Sequence, residues 1–257
     1  MEDFKWRHFR GELILWAVRW YCSYGISYRE LEEMLKERGF EVDHSTIHRW
    51  VLAYGPEMEK RLRYYYTPSC FGHDSWRVDE TYIKVKGKWR YLYRILDKRG
   101  RTIDFMLSAS RNGKAAKRAL GKALRRLKDW QHPRVINTDK AGCYEWAIAE
   151  LKKEGLLAKD VQHRQVKYLN NVIEGDHAKI KRVTKQTTGF KTMKAAYATI
   201  KGIEAMRAIK KGQTRAWHIQ SGITGVVRLT ERLFHLGNSA LTDAIQMLNH
   251  HFQNQTA

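Results

Sequence analysis

Three apolar, β-branched runs joined by two short turns constrain this chain more than any other feature. They are Trp76–Val85, Trp89–Asp97 and Thr102–Ser108, with Lys86-Gly87 and Arg99-Gly100 between them. Runs of this length and spacing predict a three-stranded antiparallel meander. Beyond it the apolar period changes repeatedly. A helical stretch over 112–130 is closed by Pro133, and Val135 to Thr138 reads as a short buried strand. A helix over 141–154, a short strand around 161–166, a helix carrying Glu174 and a long closing helix through Met193, Ala196, Ile200, Ile203 and Met206 follow.

Three strands, then helix, strand, helix, strand and helix is the ribonuclease-H-like order of elements, so the expected class is α/β. Upstream of Cys70 the pattern is helical. Phe9, Leu13, Trp16, Trp20 and Tyr24 mark a first helix ending near Gly25. Ser27 and Glu30 have the form of a capping box, and Gly39 ends the helix they open. Asp43 or Ser45 can cap a third helix through Tyr54, with Ile47, Trp50 and Val51 inward and Ser45, Thr46, His48 and Arg49 outward. Three helices of this kind, the last presenting small polar and basic residues at its start, match an all-α helix-turn-helix domain, although any three-helix bundle shares the periodicity. Pro56 and Pro68 bracket a basic, tyrosine-rich stretch that reads as a linker or a helix leading out. A last helix is expected over 241–252.

Asp79 lies inside the first predicted strand and Asp139 at the end of the fourth, where an ionised carboxylate is costly unless paired or bound to metal. Glu174 sits on a helix with His177 and Lys181 on one face. Three carboxylates can hold two hard cations beside a phosphodiester. Lys181 would hold a phosphate as a point charge, Lys179 and Arg182 would contact DNA, and His177 would touch DNA or metal or stand as a solvated histidine behind the ligands. Each acid also has a plain structural use: Asp79 in a strand ion pair, Asp139 as a helix cap, Glu174 in a capping box with Asn171. Glu80, next to Asp79, is expected to face the other side of the strand.

Composition points the same way. Lys and Arg number 48 against 27 Asp and Glu, a net charge of +21 that calls for a polyanionic partner, and 13 of the 48 fall between Arg164 and Arg215 against 3 acids. The early apolar stretch Leu13 to Val18 is too short to span a bilayer, and the basic residues are not grouped beside an amphipathic anchor, so no membrane association is expected. Cys22, Cys70 and Cys143 have no metal-binding or redox spacing and suit a reducing cytoplasm. No phosphate loop, nucleophile elbow or His-Glu-x-x-His motif is present, which removes nucleotide hydrolysis, serine hydrolase and zinc protease chemistry.

The wording of these segments is itself informative. GISYRELEEML, VDHSTIHRWV, DETYIKVKGKWRYLYR, RNGKAAKRALGK, INTDKAGCY and HRQVKYLNNVIEGDHAKIKR together resemble the transposases of bacterial insertion sequences of the IS-six family, from about Phe4 to Gln213. The resemblance implies an integrase-type catalytic domain over 71–216, preceded by a DNA-binding domain over 1–70 and followed by a tail over 217–257. It places the catalytic, metal-binding triad on Asp79, Asp139 and Glu174, with 34 residues between the last two, and the following basic residue on Lys181. It also implies two Mg2+ ions, with Mn2+ able to substitute, and a DNA transposase that binds terminal inverted repeats and joins them to target DNA in cointegrates. A bacterial, nucleoid-associated homodimer or higher assembly is expected, because two ends must be brought together. The alternatives are a non-catalytic regulator and a structure-selective nuclease of the same fold.

Overall fold

The computed structural model of the chain describes residue 4 and residues 8–65, 75–166, 171–185, 189–214 and 222–236. The helix expected over 241–252 falls outside them. Among the described residues no helix is long and apolar enough to cross a membrane.

The chain opens with α1 (Gly11–Ser23), α2 (Tyr28–Lys36) and α3 (His44–Leu62). Ser27 and Glu30 form the reciprocal capping box that starts α2, and Gly39, at φ 78°, turns the chain out of it in the left-handed region. Asp43 caps α3 by accepting a hydrogen bond from the Ser45 amide at 2.8 Å. The third helix does not stop near Tyr54 but runs through Pro56 to Leu62. Gly55 has no Cβ to collide with the proline ring, and Met58 and Leu62 beyond it are fully buried, so tertiary packing holds a helix that the local signal would end.

The sheet has the strand order β3-β2-β1-β4-β5. Strands β1 (Ser75–Val85), β2 (Lys88–Leu96) and β3 (Thr102–Ser108) form the expected antiparallel meander. The short strands β4 (Val135–Asn137) and β5 (Gln162–Arg164) add in parallel on the other side of β1. Helices α4 (Gly113–Arg125) and α5 (Gly142–Lys153) cover one face, packing Ala116, Leu120, Ile148 and Leu151 against Trp76, Val78 and Ile95. The other face, with Ile83, Leu92 and Phe105, meets α6 (Asn171–Lys185) and α7 (Met193–Lys210) through Ile180, Ala196 and Ile200. This mixed order, with helices on both faces, is the ribonuclease-H-like fold. Helix α4 stops at Arg125, short of the expected Trp130, because Asp129 and Trp130 are exposed and the His132 ring sits 3.1 Å from the Leu124 carbonyl at the helix end.

Helix α7 serves two cores at once. Its Ile203, Met206 and Ile209 join α1, α2 and α3 together with Leu229, Leu233 and Phe234 of α8 (Gly222–Leu233) and the turn after it. Gly55 and Gly202 permit this approach: a Cβ on Gly202 would lie 2.7 Å from Cys22 Sγ, and one on Gly55 would lie 3.2 Å from the Ala198 carbonyl.

Charge is buried between the same layers. Arg94 of β2 is 0% exposed and pairs with Asp176 of α6 at 2.5 Å and Glu204 of α7 at 2.9 Å. Arg207 and Lys211 also pair with Asp176, and Thr102 donates its hydroxyl to Glu204 at 2.8 Å. These cations hold the Asp176 carboxyl well below the usual range, against a burial effect that acts in the opposite direction. Removing one member of such a network leaves buried charge uncompensated, so Arg94→Ala is expected to cost about 3–5 kcal/mol in urea unfolding. A loss below about 1 kcal/mol would mean that Arg207 and Lys211 suffice to hold Asp176.

Candidate active site

Strand β4 pairs with β1 only over Ser75 to Arg77, so the remainder of β1 runs past the end of its neighbour. Asp79 lies just beyond that last pair on β1, and Asp139 follows the end of β4. The topology alone thus brings two acids 60 residues apart to one spot. Oxygens of Asp79, Asp139 and Glu80 lie within 4.8 Å of one another.

Glu80 was expected to face away. Its buried side chain does leave β1 toward the helices on the other face, yet its carboxylate still reaches the acid cluster. There it accepts a hydrogen bond from the Tyr144 hydroxyl of α5 and pairs with Arg111, just ahead of α4, which also lies 3.6 Å from Asp139. Arg111 and Tyr144 stand inside the quoted segments RNGKAAKRALGK and INTDKAGCY, but nothing local gave them a role, because each is recruited through a contact distant in sequence. Glu80 stood in plain view beside Asp79.

Asp79 is the electrostatically unsettled member. Its side chain is only 16% exposed, and it accepts a hydrogen bond from the Glu80 amide at 2.9 Å. Its cross-strand neighbour is Arg94, whose guanidinium goes to Asp176 and Glu204 instead. Burial, and then the charges of Glu80, Asp139 and Glu174, push the Asp79 carboxyl up to about 7, with the amide bond opposing them. A hard divalent cation suits this arrangement: the donors are all carboxylate oxygens, close together, and the charge of one of them is not balanced by a cation among the described residues.

Helix α6 divides the residues predicted from its spacing. Glu174, Ala178, Lys181 and Lys185 form an exposed stripe, whereas Ile173, Asp176, His177 and Ile180 face inward. Glu174 acts on the charge of Asp79 but is not part of the close oxygen set. Lys181 shares its stripe, and Arg182 is exposed next to it. The His177 ring is buried with Nδ1 3.7 Å from Asp79 Oδ2, so it lies behind the acid rather than on a surface open to DNA. Burial, with Arg94 adding to it, pushes its pKa down to about 3, which keeps the ring neutral. The side chain of Lys179 is outside the described set.

At the start of α3, Ser45 and Arg49 are exposed and Thr46 and His48 half-buried. Arg49 donates to the Thr46 hydroxyl at 3.0 Å, and His48 packs edge-on against Tyr28.

Residues 73–213 match a family described as a DDE domain, that of the IS240 type of transposase. The chain is 38% identical over 224 residues to the transposase for the insertion sequence-like element IS431mec of Staphylococcus aureus, covering 85% of this chain and 93% of that one. It belongs to the IS-six family of DDE transposases. The transposase of element IS257 in transposon Tn4003 of Staphylococcus aureus shows the same identity over the same length. Solved structures similar to this transposase include the HTLV-2 integrase catalytic core in complex with magnesium, 18% identical over 52% of this chain and 84% of that one, with a TM-score of 0.36. A simian T-cell lymphotropic virus intasome is 15% identical over 66% and 57%, with a TM-score of 0.40. As a DDE transposase the protein is a polynucleotidyl transferase that acts on DNA, and this class implies a divalent metal.

A carboxyl raised from 3.8 to about 7 binds its proton more tightly in the native state than in the unfolded chain. The stability this contributes is present below the unfolded value and is lost as pH rises through about 7. Without metal, Asp79→Asn should therefore melt higher than wild type at pH 8, and this advantage should shrink toward pH 5. Thermal melts in chelator check this, and equal melting curves at both pH values would show that Asp79 carries no such penalty.

Proposed function

We propose that this transposase reads the terminal inverted repeats of its element with the start of α3 and cuts and joins strands at the carboxylate cluster, forming cointegrates. On this reading 1–70 is the DNA-binding domain, 71–216 the catalytic domain and 217–257 a tail. The observation that carries it is the convergence of Asp79 and Asp139 beyond the end of β4 around a carboxyl that, among the described residues, is paired with no cation.

Asp79, Asp139 and Glu174 hold two divalent ions, Mg2+ with Mn2+ able to substitute, whose chemistry when bound is to activate the attacking 3′-hydroxyl and stabilise the leaving oxygen. The chain's own groups do the rest. Lys181, on the exposed stripe of Glu174, holds a backbone phosphate as a point charge, and Arg182 and Lys179 add to the field that draws DNA in. His177 supports the face of Asp79 that DNA does not meet. Arg111 and Tyr144 fix the Glu80 carboxylate so that it raises the local negative potential without swinging through the site. Ser45, Thr46, His48 and Arg49 present donors to base edges and phosphates in the major groove. Two ends require at least a homodimer, and a bacterial, nucleoid-associated location follows from the substrate.

The test is to incubate the protein with a labelled duplex carrying the element's end and a supercoiled target, with and without Mg2+. Metal-dependent covalent joints are expected for wild type. Asp79→Asn, Asp139→Asn and Glu174→Gln should each abolish joining while keeping end binding; normal joining by any one removes that residue from the site. Arg49→Ala should weaken the footprint on the terminal repeat, by about tenfold if it makes one good base contact, and an unchanged footprint would mean that α3 is not the reader.

A further inference from the structure

A groove of about 950 Å3 runs beside the acid cluster, between β1 and α6. Its cations are Lys84 from β1 and Lys181, Arg182 and Lys185 from α6. Phe190 lines it as a buried ring, and its exposed aromatic members are Tyr82 and Trp89, at 44% and 61%. The recognition and catalytic residues already described leave these two rings without a role.

The rings are held ready for a ligand. Lys86 and Gly87, at φ 50° and 72°, make a tight hairpin turn with positive φ at both central residues. That turn sets the register that pairs Lys84 with Trp89 and Tyr82 with Tyr91. Tyr82 meets Trp89 edge-on at 6.4 Å and its cross-strand partner Tyr91 at 5.3 Å, so it is packed from the side by both. At the far end, Phe190 docks on β1 by donating its amide to the Lys84 carbonyl at 3.0 Å and accepting from the Lys86 amide at 2.8 Å. Both walls are fixed.

We infer that this groove seats an unpaired nucleotide of the DNA beside the reacting bond, with its base stacked on Trp89, which Tyr82 backs edge-on, and its phosphates on the four cations. The inference rests on the transposase reading above and adds the state of the strand. Four cations call for a polyanion. In a duplex the faces of the bases are hidden in the stack, and only an extruded or single-stranded base offers a π-face to an aromatic platform. Tyr82 lies three residues along β1 from Asp79, about 10 Å at the rise of an extended strand, and so leaves the strand on the face of Glu80. β4 pairs with β1 only as far as Arg77, and the groove passes this open edge, so the platform sits around the edge of β1 from the reacting phosphate rather than upon it. The cavity volume is within the range of sites that enclose a small ligand.

The test is binding, in chelator, of a short labelled single strand of mixed sequence and of an abasic strand of the same length and charge. Wild type should prefer the base-bearing strand about tenfold, equivalent to about 1.4 kcal/mol, within the range of one base stacked on an aromatic side chain. Trp89→Ala should bind the two strands equally, and Trp89→Phe should restore the preference. Trp89 is mostly exposed, so neither change disturbs a core. Equal binding of both strands by wild type would overturn the inference in favour of plain phosphate attraction, as would an undiminished preference in Trp89→Ala. The assay needs neither metal nor joining, so its failure is separable from failure of the strand-transfer reading.

Discussion

Arg94 holds the molecule together at the point where it is most expensive to do so. A guanidinium with no access to water is tolerable only when fully paired, and its partners come from three separate elements: Asp176 on α6, Glu204 on α7 and Thr102 on β3. Arg207 and Lys211 reach the same Asp176 from α7 and just beyond it. The helix that carries Glu174 and Lys181 is thereby fixed to the sheet by charge as well as by the apolar contacts of Ile180. Specific pairing of this kind sets how α6 lies against β1, a requirement that apolar packing alone meets less strictly.

The same arginine explains the chemistry beside it. Directly across the ladder from Asp79, it could have neutralised that acid, and the network instead draws its charge away. Asp79 is left with amide and carboxylate neighbours and a neutral imidazole, so the local field favours a proton or a metal. Stability and reactivity are thus divided between two acids on the same face of the sheet: Asp176 is satisfied, and Asp79 is not.

Much of this was legible in the sequence, for identifiable reasons. The meander announced itself because alternation and glycine turns are local signals, and Thr102–Ser108 matches its expected bounds. Asp79 and Asp139 stood out because acids inside apolar runs need a partner. The stretch after Pro56 read equally as a linker or a helix, and its continuity with α3 did not show, since the burial that holds it comes from α7, some 140 residues later. Helix α8 was missed for the same reason: Leu229 and Leu233 acquire meaning only against the N-terminal helices. Strand alternation predicted the face from which Glu80 leaves but not the reach of its carboxylate past the end of β4. Helical spacing grouped His177 with Glu174 and Lys181, yet a few tens of degrees around the helix separate a buried ring from an exposed stripe.

The close contact of α3 with α7 at Gly55 and Gly202 has a further consequence. With both glycines in van der Waals contact and α7 also seated on the sheet, the helices proposed to read the element's end cannot slide relative to the acid cluster without opening a core. The protein is then a ruler. On the proposed reading, the number of base pairs between the recognised sequence and the bond that is broken would be set by the distance from α3 to β1, and an element would move intact only with ends drawn to that scale.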